Sequence, residues 1–165
     1  MTLLTRLVDH RHAVALRRLA TRVSADDADC APEPFSFGSS VVATRLVAGR
    51  LRFGGESKEA APGVSPFGLG SAMWEREAQT FGWLDDFATL ASDEAQATAR
   101  AWTADWLKKS GTGGGAGWSL AVTAERLPRQ IGHFGFLRQY ENENFNAAVV
   151  RSMRLGTVYL GERWA

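Results

Sequence analysis

Arg126 and His133 stand seven positions apart, two turns of a helix, so both side chains can lie on one helix face. An arginine can grip a carboxylate through two parallel N–H bonds, and an imidazole beside it can donate a third. Trp83, Trp102, Trp106 and Trp118 add flat apolar surfaces of the kind that stack on a ring. Together these residues describe a binding face for a ring that carries a carboxylate, with Arg126, His133, Trp83 and Trp118 as its candidate members. The same residues also fit a structural role. Arg126 can pair with Glu125 or Asp105, His133 can cap a neighbouring helix, and indoles at helical spacing commonly fill a core. Each indole N–H then still needs a partner.

Other reactive side chains form weaker patterns. Tyr140 and Tyr159 are possible proton acceptors, but neither sits in a recognisable motif. Glu141-Asn142-Glu143-Asn144 reads as a polar turn before a helix, not as a cation loop. The run Gly113-Gly114-Gly115-Ala116-Gly117 has no Lys-Ser or Lys-Thr after it and so is no phosphate loop. A lone Cys30 and three histidines, two of them near the N-terminus, assemble no zinc site. No cofactor and no metal are expected.

The elements that must position these residues are mainly helices. Leu4, Leu7, Val8, Leu16, Leu19 and Val23 predict an amphipathic helix over 3–23, followed by a linker up to 40. Leu51 and Phe53 flanking Arg52 predict a short strand that ends at Gly54-Gly55. Residues 55–72, rich in glycine and proline, are expected to be irregular. Trp74, Ala78, Phe81, Leu84, Phe87 and Leu90 make one helical stripe. Ser92 then caps a helix that carries Asp93 and Glu94 in its first turn and Lys108 and Lys109 in its last, charges that suit the helix dipole. Two further helices are predicted over about 119–138 and 144–162, the first with a kink at Pro128. Short connections make neighbouring helices antiparallel, which gives two consecutive hairpins.

Composition fits a globular chain of 165 residues, 45% hydrophobic and 22% charged, with a net charge of +1. The basic residues are concentrated at the start. Arg6, Arg11, Arg17, Arg18 and Arg22 precede the acids Asp26, Asp27 and Asp29, and this stretch suits an anionic polymer, a membrane surface or plain solvation. No run of about 20 apolar residues predicts a transmembrane segment. Arginines interrupt every apolar stretch of residues 1–23, so no signal peptide is read there, and the compartment stays open between cytoplasm and periplasm. No nucleic-acid partner is expected.

The stretch Ala48-Gly49-Arg50-Leu51-Arg52-Phe53-Gly54-Gly55 resembles a segment that precedes the helical domain of heparinase II/III-like proteins. Gly63-Val64-Ser65-Pro66-Phe67, Trp74 and Phe81-Gly82-Trp83-Leu84-Asp85-Asp86-Phe87 resemble the helix that follows it. Ala101-Trp102-Thr103-Ala104-Asp105-Trp106 is similar to the next. Trp118, Thr123-Ala124-Glu125-Arg126-Leu127 and His133, then Phe145, Ser152, Gly156, Tyr159 and Leu160, fit the last two. Gln79 departs from a histidine common at that place, and Pro128 and Gln130 depart from an apolar residue and a tryptophan.

The resemblance implies residues 41–165 as part of an α/α toroid, preceded by the basic helix and linker of residues 1–40. It implies a polysaccharide lyase that cleaves uronic-acid polysaccharide by β-elimination. There a base takes the C5 proton while the neighbouring carboxylate is neutralised, and the 4-linked sugar leaves. None of the family's Asn, Tyr and His motifs for these steps matches a position in this chain, so no catalytic residue is assigned. On this reading the remaining toroid helices and a β-rich domain would belong to the same polypeptide. Two other classes fit the residues. One is a non-catalytic module for an anionic glycan or membrane surface. The other is a glycoside hydrolase drawing on Asp85, Asp86 and Asp105.

Overall fold

In a computed structural model, the described residues are 33–164 apart from Phe35. The helix expected over 3–23 lies outside them. The remainder is mainly helical, with one small hairpin of strands.

The first element, α1 (Ser40–Val47), replaces the end of the expected linker. Ser39 caps it by accepting the Val42 N–H, and Ala43 and Leu46 are buried on its inner side. Strand β1 (Arg50–Phe53) follows as the sequence predicts, with Leu51 and Phe53 inward and Arg50 and Arg52 outward. Of the next residues, 60–71 are irregular as expected, but 56–59 are not. Gly54 and Gly55, both at positive φ, make a two-residue turn into β2 (Glu56–Glu59), which pairs antiparallel with β1 from Arg50↔Glu59 to Phe53↔Glu56.

The stripe from Trp74 to Leu90 is two helices, α2 (Ala72–Ala78) and α3 (Gly82–Leu90), not one. The break lies at Phe81, which takes a left-handed conformation (φ 61°). For a residue with a side chain this costs on the order of 1–3 kcal/mol. The offset is visible in its surroundings. The Phe81 ring is fully buried, 4.6 Å from the Trp83 ring and 5.3 Å from that of Trp106. A continuous helix would carry it out of that cluster.

Helix α4 (Asp93–Ser110) has the expected Ser92 cap, the expected terminal charges and Gly111 at its end. The glycine run leads through a short 3-10 turn (Ala116–Trp118) to α5 (Leu120–Gly132), which passes through Pro128 without ending. The stripe expected up to 138 continues as a separate single turn, α6 (Phe134–Leu137). Arg100 of α4 binds its end, donating to the carbonyls of Leu137 and Arg138. The last helix is α7 (Glu143–Trp164).

Two antiparallel helix pairs can be read from their contacts. Between α3 and α4, Trp83 meets Trp102, and Phe81 just before α3 meets Trp106 further along α4. Between α5 and α7, Gln130 approaches Ser152, while Trp118 just before α5 meets Tyr159. In each pair, rising numbers on one side meet falling numbers on the other. A single apolar cluster runs through both pairs and the strand hairpin. The large apolar residues left exposed on α5, Leu120 and Ile131, are too few to make an uncovered helix face. Val41 and Val42 on α1 and Met73 on α2 are exposed as well.

Candidate functional site

The four residues singled out in the sequence are all buried, in two different settings. Arg126 is 1% exposed. Its guanidinium lies over the rings of Trp106 and Trp118, 4.5 and 5.0 Å from their centroids, and donates to the Gly117 carbonyl. Its Nε has no partner among the described residues, and it pairs with neither Glu125 nor Asp105. Burial pushes Arg126 down to about 9, against the pull of Tyr159, so it remains a cation at neutral pH.

His133 keeps other company. Its Nε2 lies 2.8 Å from Asp85 Oδ1, and Arg129 Nε donates to the other oxygen, Oδ2, also at 2.8 Å. A carboxylate can only accept, so Nε2 carries the proton in this bond. Burial works to raise the Asp85 carboxyl. The bonds from His133 and Arg129, with the Ser36 hydroxyl nearby, outweigh it and hold Asp85 below the ordinary carboxylate value. This trio fastens α3 to α5.

The tryptophans satisfy themselves internally. Trp83 donates to the Ala78 carbonyl, Trp102 to Gly63, Trp106 to Gln79 Oε1, and Trp118 to Ser110. Trp74 donates to Pro66. Gln79, which departs from the histidine of the resembled family, thus accepts a buried indole N–H at 2.5 Å.

Beside Trp83 the chain opens into a cleft of about 260 Å³ between α1, β1 and α3. Arg52, Arg129, Glu77, Asp85 and Asp86 give it its charges, and Phe37, 88% exposed, stands on its rim. Of the four sequence candidates, Trp83 lines this cleft. Asp86 accepts the Ser39 backbone N–H at 2.7 Å. The chain can come so close because residue 38 is glycine; a Cβ there would lie 2.2 Å from the Asp86 nitrogen. Burial pushes the Asp86 carboxyl up. The Ser39 bond partly opposes this, and the charge of Asp85 adds to it. Adjacent carboxyls are therefore driven in opposite directions within one cleft. Asp105 is not part of it; it binds Lys109 at 2.9 Å and accepts from Ser65.

A second, shallower groove of about 420 Å³ lies on the outer face of the strand hairpin, lined by Arg45, Arg50, Arg52, Ser57 and Glu59. Arg52 borders both hollows. Sequence reasoning named Asp85 and Asp86 only as carboxylates for a hydrolase and passed over Arg52 and Arg129 as site residues. The one signal for Arg52 was the arginine spacing 50, 52, which on a strand places both side chains on the same side.

Among the described residues no group of His, Cys, Asp and Glu is arranged to hold a metal ion, and no helix is long and apolar enough to cross a membrane. The chain matches no protein-family model, no curated protein and no solved structure.

Proposed function

We propose that this chain is the N-terminal helical portion of a heparinase II/III-like polysaccharide lyase, acting on uronic-acid polysaccharide and forming one wall of its substrate groove. The observation that supports it most directly is the aromatic seam. Trp83, Trp102, Trp106 and Trp118, quoted in order for the resemblance, join with Arg126 where the two antiparallel helix pairs meet. Antiparallel helical hairpins are also the unit of the α/α toroid that the resemblance implies.

In this reading the chain's task is positioning. Arg52 at the cleft edge has no carboxylate partner among the described residues and suits a uronate carboxylate, whose neutralisation makes the C5 proton easier to remove. The base is assigned to no residue here. The test is to incubate acidic polysaccharides with the full polypeptide and follow ultraviolet absorbance. Elimination leaves an absorbing unsaturated uronate; new reducing ends without absorbance would replace the lyase reading with a hydrolase.

A second reading, a non-catalytic module for an anionic glycan, is favoured by the outward arginines of the strand hairpin. Tight glycan binding with neither product would select it.

A further inference from the structure

We infer that the outer face of the strand hairpin is a binding subsite for an extended acidic polysaccharide, with Arg45, Arg50 and Arg52 as its anion contacts and Arg52 as the link into the cleft beside Trp83. The inference rests on the acidic-glycan reading above and adds where the polymer lies.

Three exposed guanidinium groups border this one hollow, from the end of α1 and from alternate positions of β1. None has a carboxylate within ion-pair distance among the described residues. Arg50 stands directly across from Glu59 in the strand register, yet the two make no ion pair. A fourth cation bordering the groove, Lys58, is taken up by Glu56 at 3.8 Å and by the Trp74 ring. Among the described residues, three arginines share the groove with one unpaired carboxylate, Glu59, so a positive excess remains that a bound anion would relieve. Arginine also presents a planar fork that matches carboxylate and sulfate oxygens in pairs. Arg50 and Arg52 lie about 7 Å apart along the strand, a spacing that suits anions repeated along a chain.

The acids in the same hollows point to a sugar. Glu59 in the groove and Asp86 in the cleft interrupt the positive surface. They can accept hydrogen bonds from the hydroxyls that a polysaccharide carries on its rings and that a DNA backbone lacks. The groove also lacks an exposed aromatic ring on which bases could stack.

The experiment uses the full chain with heparin as the probe. A single-stranded oligonucleotide and anionic phospholipid vesicles are run in parallel. We expect heparin to bind most tightly. The double variant Arg50→Ser/Arg52→Ser should bind it at least tenfold more weakly. The dependence of log affinity on log salt should also flatten by about one per arginine removed. A control, Arg76→Ser/Lys108→Ser, removes the same charge from exposed positions elsewhere and should lose less than threefold. The inference is overturned if wild type does not bind heparin, if the control loses as much as the groove variant, or if oligonucleotide or vesicles bind as tightly as heparin. Circular dichroism shows whether each variant is folded. Lyase activity is scored separately, by absorbance, on the longer polypeptide that the lyase reading requires; heparin binding by this chain with no elimination by that polypeptide would sink the lyase reading and leave the subsite standing.

Discussion

Asp85 and His133, 48 positions apart in sequence, are joined by a 2.8 Å bond between Oδ1 and Nε2, while Arg129 occupies the other oxygen of the same carboxylate. One buried side chain thereby holds two donors from the next helix pair. Asp85→Asn keeps the shape but removes the charge, so an amide oxygen can meet Arg129 only with the N–H turned to His133, and the guanidinium loses its nearest counter-charge. A loss of about 3 kcal/mol in unfolding free energy is expected, measured by urea denaturation. The folded carboxyl lies below its ordinary value of 3.8, so its stabilisation is complete above that value and is lost as pH falls through the lower folded one. Wild type should therefore weaken in acid more steeply than Asp85→Asn. Parallel acid limbs would count against the link.

Asp86 should behave in the opposite sense. Its folded carboxyl is raised, so wild type gains stability from it as pH falls and loses it as pH climbs through the folded value. Asp86→Asn keeps an oxygen for the Ser39 N–H and removes the buried charge. At pH 7 the variant should be at least as stable as wild type, and its advantage should vanish in acid. Thermal melts at four or five pH values would check this.

Arg126 is a buried cation with no acid beside it among the described residues. Methionine has a similar length and polarizability and leaves no charge to desolvate. Arg126→Met is expected to change stability at pH 7 by less than about 1 kcal/mol, or to raise it. A large loss would mean that the guanidinium stacked between two indoles contributes more than its burial costs. Since the folded group lies near 9, the penalty on wild type is present at neutral pH and is relieved as pH rises above that value, so the gap should narrow in base.

Ala91 ends α3 in a left-handed conformation, φ 52° and ψ 25°, where helices commonly place glycine. The residue is exposed and its methyl group is not part of the core. Ala91→Gly should stabilise the chain by about 0.5–1 kcal/mol, raising the melting temperature by a few degrees. A decrease would mean that the turn between α3 and α4 is set by something other than its backbone angles.

Much of this architecture was legible because it rests on local rules. Ser92 with Asp93, Glu94, Lys108 and Lys109 marked both ends of α4, and Trp74, Trp102 and Trp106 fell on the buried side that their spacing implied. What escaped depended on tertiary context. Strand β2 reads Glu-Ser-Lys-Glu and has no apolar alternation; only its pairing with β1 makes it a strand. The break at Phe81 follows from where its ring is buried, which the stripe alone does not reveal. The site was less legible than the fold. Arg126 and His133 share a helix and a spacing, but one turns into the indoles and the other toward Asp85. The charged groups of the cleft come from β1, α2, α3 and α5, whose meeting no local pattern announces.

Gly54 lies against the start of α2, where a Cβ would come within 2.5 Å of the Met73 and Trp74 backbone, and its N–H reaches Glu77 Oε2 at 2.6 Å. Hydrogen alone fits there, so the hairpin is seated flush on rigid main chain and cannot slide inward. The standoff between the arginine-bearing ribbon and the tryptophan-filled interior is thus fixed by the one position that has nothing to give way.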